Sequence, residues 1–159
     1  MIIHTAYVPG QPRLAYDHAG HGETVVFLHG IGGNASNWHG QVRMLADRYH
    51  AVALDLRGYG HSDDYAGPLD FADFRSDVLR LLDHLGVARA HLCGLSMGGR
   101  VALDVHDHHP ERIASLILVD TFPGYDASFT PEGRARFVRE RRQPLLEGKR
   151  LEDIAPGVA

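Results

Sequence analysis

With 159 residues the chain is long enough to bury a core of its own, and 44% hydrophobic with 23% charged residues is the balance of an ordinary globular protein. A net charge of −4 with neutral histidines argues against a general affinity for nucleic acid or an anionic membrane. The single cysteine, Cys93, excludes an internal disulfide framework and suits a reducing compartment, and no apolar run approaches the roughly 20 residues that span a bilayer.

The first five residues lack a basic region followed by a long apolar stretch, so no signal peptide is expected and the expected location is the cytoplasm. Residues 5–8 and 13–17 are expected to form an antiparallel hairpin at a sheet edge. Residues 24–28 (Thr-Val-Val-Phe-Leu) are short, β-branched and apolar, the pattern of a strand buried on both faces. Residues 51–55, 90–94 and 115–119 read the same way, the last most strongly of the set. Between these strands Trp38, Val42 and Leu45 fall at i, i+4 and i+7 on one helix face. Phe71, Phe74, Val78, Leu81, Leu82 and Leu85 mark a longer helix, with Asp70 as its N-cap and Gly86 just past its end. A third helix is expected to start at Ser96 and stop before Pro110, because proline disfavours helical geometry in the residue before it.

Strands alternating with helices predict an α/β fold, a mostly parallel sheet covered by helices on both faces. The pattern changes after Asp120. Phe122, Pro123, Gly124 and Tyr125 form a turn-rich break, and Thr130 with Pro131 reads as an N-cap followed by Pro at N1. From Arg134 to Arg150 the chain carries Arg134, Arg136, Arg139, Arg141, Arg142, Lys149 and Arg150, opposed only by Glu140 and Glu147. Residues 151–159 hold no apolar segment that can complete a sheet, and the ending is expected to be an interruption. We therefore expect residues 1–120 to be the N-terminal part of a core whose last strands are absent, and 121–159 the start of a helical cap or lid.

The chemistry gathers in two glycine-rich turns. Gly94-Leu95-Ser96-Met97-Gly98-Gly99 lies between a predicted strand and a predicted helix. A serine on so sharp a turn needs small neighbours, and the turn lifts its hydroxyl clear of the sheet at a helix N-terminus. Ser96 is accordingly the expected catalytic nucleophile. His29-Gly30-Ile31-Gly32-Gly33 follows the first buried strand and lets a backbone N–H approach that serine. The backbone N–H groups of Ile31 and Met97 are the expected oxyanion-hole donors. A phosphate-binding loop or dinucleotide fingerprint would require spacings that this turn lacks. His29 is expected to shape the loop rather than act as a base. No cofactor and no metal site are expected.

These two motifs, together with Asp55-Leu56-Arg57-Gly58-Tyr59-Gly60-His61-Ser62 between them, resemble the α/β-hydrolase fold family in order and spacing over roughly residues 20–120. The pattern looks most like small esterases and enol-lactonases with a helical cap after the sixth strand. The resemblance implies that residues 55–62 form a loop supporting the site. It also implies a chain order of nucleophile, acid, then histidine.

Here the sequence departs from the family. The histidines after Ser96 are His106, His108 and His109, all late in the third helix and on the order of 15–20 Å from Ser96 at a 1.5 Å rise per residue. Asp120 is the one carboxylate well placed after a strand, and it stands either as triad acid or as a structural residue at the entrance to the cap. The catalytic histidine is expected from a second chain or a C-terminal fragment that completes the fold. The reading is a serine hydrolase of small-molecule carboxylic esters or lactones working through an acyl-enzyme at Ser96. Within enzymes, C–C bond hydrolysis, acyl transfer and cofactor-free perhydrolysis use the same scaffold. A non-catalytic binding protein or relic is the alternative from another class. The basic run reads as a solvated cap-helix face or as a pocket for a carboxylate-bearing substrate.

Overall fold

The computed structural model describes residues 1–124, 130–150 and 153, the side chain of Arg141 aside. Tyr125 of the expected break and residues 151–159 other than Asp153 lie outside the described residues. The chain divides into two compact units, Met1–Pro123 and Gly124–Ala159.

In the first unit, strands β1 (His4–Val8) and β2 (Leu14–Ala19) form the expected antiparallel hairpin, with Val8 opposite Leu14. Strands β3 (Thr24–Leu28), β4 (His50–Leu54), β5 (Ala90–Leu95) and β6 (Ile113–Val119) follow. The sheet order is β1-β2-β4-β3-β5-β6, with β3 through β6 mutually parallel and β2 antiparallel to β4. This is the mostly parallel α/β sheet that the alternating pattern predicts.

Alternation along each buried strand builds two cores. Val26, Leu28, Val52, Leu54 and Leu92 point to the face covered by α2 (Phe71–His84) and α3 (Met97–His108), where Phe74, Val78, Leu81, Val101 and Val105 are buried. Val25, Phe27, Ala51, Ala53 and Cys93 point to the opposite face, where Trp38, Val42 and Ala46 pack. There a 3₁₀ turn at Ala35–Trp38 leads into α1 (His39–Leu45), and the Trp38 ring sits 5.0 Å from that of Phe27. Side chains of this size each contribute about 1.5–3 kcal/mol when fully buried.

The helix ends follow local chemistry. The Asp70 carboxylate accepts from Ala72 N–H, Asp73 reaches back to Asp70 N–H at 3.0 Å, and Gly86 lies just past the helix at φ +68°. Helix α3 stops at His108, two residues short of Pro110.

Strand β6 is the edge expected of a core whose last strands are absent. Its run is apolar on both faces like that of β3, yet Ile117, Leu118 and Val119 are 48%, 44% and 38% exposed. The reason is its place in the sheet: β6 pairs only with β5, and among the described residues no strand lies on its outer side. A run apolar on both faces is suited to cover that these residues do not supply.

In the second unit, Thr130 Oγ1 accepts from Gly133 N–H at 3.1 Å and caps α4 (Pro131–Leu146), with Pro131 in the first turn as expected. Arg136, Arg139 and Arg142 are exposed along it, and Arg136 pairs with Glu140 at 3.8 Å. No helix among the described residues is long and apolar enough to cross a membrane.

Candidate active site

The strand order reverses direction at β3. The chain leaves β3 for β4 on one side, then returns past β3 to β5 on the other. Loops after two such strands diverge to opposite faces and leave a crevice at the carboxyl end of the sheet, the usual ligand site of open α/β folds. The loop after β3 carries residues 29–34, and the turn after β5 carries Ser96. They touch: a Cβ added to Gly30 would lie 3.4 Å from Ser96 Cβ.

Ser96 stands between the end of β5 and the start of α3 with φ 51° and ψ −113°, and it is exposed. Such a conformation costs on the order of 1–3 kcal/mol for a residue with a side chain and persists only where the surroundings enforce it. Several contacts do so. Ser96 N–H donates to Val119 O at 3.0 Å, and Ser96 O accepts from Gly99 N–H at 3.0 Å and Arg100 N–H at 3.2 Å. A side chain at Gly94 would strike the Gly98 backbone, and one at Gly98 would strike Leu28 and His29 carbonyls, so the turn packs backbone on backbone. Met97 is the first residue of α3, and an N–H at that position has no intrahelical acceptor.

The loop after β3 is held from beneath. His29 is fully buried, its Nδ1 lies 2.8 Å from Gly30 O, and its Nε2 accepts from Leu56 N–H at 3.2 Å. These partners require the Nδ1–H tautomer, and burial lowers the imidazole pKa from its ordinary 6.5. With both nitrogens engaged, His29 is a loop-shaping residue. Gly33 N–H closes a turn onto Gly30 O at 3.1 Å, leaving the Ile31 side chain 76% exposed at the loop tip.

The segment after β4 braces the loop after β3 and grips helix α2. The buried Asp55 carboxylate accepts from Ala35 N–H at 2.6 Å and His61 N–H at 2.7 Å, while Ser62 Oγ donates to Asp55 O at 2.6 Å. Arg57 grips Asp77 of α2 through Nε at 2.6 Å and Nη2 at 2.8 Å, and Asp73 through Nη1 at 2.9 Å. The hydrogen bonds to Asp77 push the guanidinium pKa further up.

Asp120 follows β6 at φ 43°, exposed, and is with Ser96 one of the two non-glycine residues at positive φ among the described residues. Its neighbour Thr121 donates Oγ1–H to Ser96 O at 2.7 Å. The structure thus brings the turn carrying Ser96 and Met97, the loop carrying Ile31, and the strand end carrying Asp120 to one end of the sheet. It does not bring a histidine there from α3. His106 and His108 occupy the last turn of that helix, and His108 pairs with Asp104 and Arg75. Thr121 was missed by the sequence reading, since one threonine after a strand carries no signal. No group of three His, Cys, Asp or Glu side chains among the described residues is placed to hold a metal ion.

The chain matches the model of the alpha/beta hydrolase fold family over residues 23–151, and it belongs to that family. It is 33% identical over 134 residues to 3-oxoadipate enol-lactonase 2 of Acinetobacter baylyi, covering 84% of this chain and 50% of that protein. It is 34% identical over 148 residues to a 2-hydroxy-6-oxononadienedioate/2-hydroxy-6-oxononatrienedioate hydrolase of Escherichia coli, covering 87% and 51%. The crystal structure of a hydrolase from Pseudomonas aeruginosa superposes with a TM-score of 0.83 at 30% identity, over 97% of this chain and 57% of that one. The chain spans about half the length of the curated relatives it matches.

Proposed function

We propose that this chain carries the nucleophile and oxyanion hole of a serine hydrolase acting on small-molecule carboxylic esters or lactones. The observation that carries the reading is the backbone of Ser96, an exposed serine at φ 51° on a strand-to-helix turn packed glycine against backbone.

In this mechanism Ser96 Oγ attacks the substrate carbonyl carbon as its proton passes to a histidine. The carbonyl oxygen becomes an oxyanion and is met by the N–H groups of Ile31 and Met97. Collapse expels the alcohol, which takes the proton from the histidine, and leaves an acyl-Ser96 ester. Water then attacks that ester with the same histidine as base, releasing acid and restoring the serine. Asp120, on the strand end bonded to the Ser96 turn, is the candidate for orienting the histidine. We assign that histidine to a segment beyond residue 159 that pairs with β6, on a second chain or the same one. Residues 121–159, with α4 as their helix, begin the cap in this reading. The single cysteine suits a reducing compartment, and we propose the cytoplasm.

The similarity to an enol-lactonase favours a lactone, and the similarity to the oxononadienedioate hydrolase gives C–C bond cleavage as the second reading. A panel of lactones, short-chain esters and vinylogous 1,5-diketones, assayed on the protein with its histidine-bearing segment, separates them. Hydrolysis of esters or lactones that Ser96→Ala abolishes is the expected result; activity that survives Ser96→Ala overturns the reading.

A further inference from the structure

We propose that Thr121 is a positioning residue that aims and strengthens the Met97 N–H, the oxyanion donor on the Ser96 turn. The inference rests on the reading of Ser96 and Met97 given above.

The Ser96 carbonyl and the Met97 N–H belong to one planar peptide unit, so fixing the direction of one fixes the other. Thr121 Oγ1 donates to that carbonyl at 2.7 Å, the shortest of the three hydrogen bonds it accepts. The other two come from Gly99 and Arg100 N–H at 3.0 and 3.2 Å, within the first turn of α3. A donor on the carbonyl also polarises the amide, which makes its N–H a stronger donor by hydrogen-bond cooperativity. Two residues earlier, Val119 O accepts the Ser96 N–H at 3.0 Å. The strand end of β6 therefore holds both peptide groups of Ser96, one on each side of its strained φ.

The packing shows that the Thr121 side chain has a prepared seat. Gly99 lies within α3 with no unusual φ, so helix geometry does not call for glycine there. A Cβ at Gly99 would meet Thr121 Cγ2, Cβ and Oγ1 at 2.5, 2.7 and 2.8 Å. Glycine at 99 is what allows the threonine to reach the carbonyl. The same bond ties Asp120 to the Ser96 turn through its immediate neighbour, so the register between candidate acid and nucleophile depends on it.

The test compares Thr121→Val, which keeps the methyl group and the shape but lacks the hydroxyl, with Thr121→Ser, which restores the donor. In the chain uniformly labelled with ¹⁵N, Thr121→Val should move the Met97 amide nitrogen upfield while amides of β1 and β2 stay in place, and Thr121→Ser should leave it near wild type. In the protein with its histidine-bearing segment, Thr121→Val should lower kcat about tenfold, a fraction of the 10²–10³ lost when an oxyanion donor is removed outright. KM should hold within about twofold, because the bond acts on the transition state. Thr121→Ala gives the same comparison should the valine variant fail to fold. An unmoved Met97 nitrogen, or a kcat for Thr121→Val equal to wild type, overturns the proposal. A wild-type protein with neither ester nor lactone activity overturns the reading of Ser96 instead, and the nitrogen shift still reports whether the bond exists.

Discussion

Burial holds three imidazoles, His18, His29 and His50, below the ordinary value of 6.5. For His29 the cause is burial, which outweighs the upward pull of the bond to the Gly30 carbonyl and of the nearby Asp55 charge. For His18 and His50 it is burial first and then neighbouring histidines, with His18 Nδ1 3.1 Å from His50 Nε2. A lowered folded pKa means that the unfolded chain binds these protons more readily. Their stabilising contribution is complete above about pH 6.5 and is lost as the pH falls below it toward the folded values. Urea midpoints should therefore drop between pH 7.5 and pH 5, and His50→Gln should make that slope shallower. Asp120 has its own test. As triad acid, Asp120→Asn lowers kcat by about 10⁴ with folding intact, whereas a loss below about tenfold assigns the acid to the absent segment. At this scale the strand-to-helix turn at Ser96 and the glycine loop around Ile31 were legible because a tight turn leaves a local signature of glycines, while the catalytic roles of Ser96, Ile31 and Met97 belong to the proposal. Thr121 was not legible, because its partner lies 25 positions away and the bond goes to a backbone carbonyl.

The clamp of Arg57 on Asp77 joins the segment after β4 to helix α2. Asp77 is fully buried and also accepts from Arg80 Nη1 at 3.0 Å. Removing one partner of a buried pair leaves the other charge stranded, at a cost of about 3–5 kcal/mol. Asp77→Ala should lower the unfolding free energy by that order in urea titrations, while Asp70→Ala, which loses only a cap, should cost about 1 kcal/mol. Helices α2 and α3 were readable because periodicity, an acidic N-cap, a terminal glycine and a proline stop all act within a few residues. The exposure of β6 was readable only from the absence of later strands, because the run itself has the pattern of a buried strand. Its sequence records what a fully covered strand needs, and whether the cover exists depends on sheet order, a long-range property.

At the scale of the molecule, strands β3, β4 and β5 are covered on both faces, while β6 is, among the described residues, an unpaired edge with Ile117, Leu118 and Val119 exposed. An open apolar edge is a template for association. The chain on its own should therefore self-associate on size-exclusion chromatography as its concentration rises, and charged substitution at Ile117 should reduce this. The family was legible in full because its three motifs are local, whereas the source of the base was not, since no histidine after Ser96 lies outside α3 and its cap. The most direct test of the central claim is labelling with a fluorophosphonate, applied to the protein with its histidine-bearing segment and read by peptide mass spectrometry. The account predicts one phosphonyl adduct, on Ser96, that disappears in Ser96→Ala. An adduct on another serine with Ser96 unmodified would contradict it.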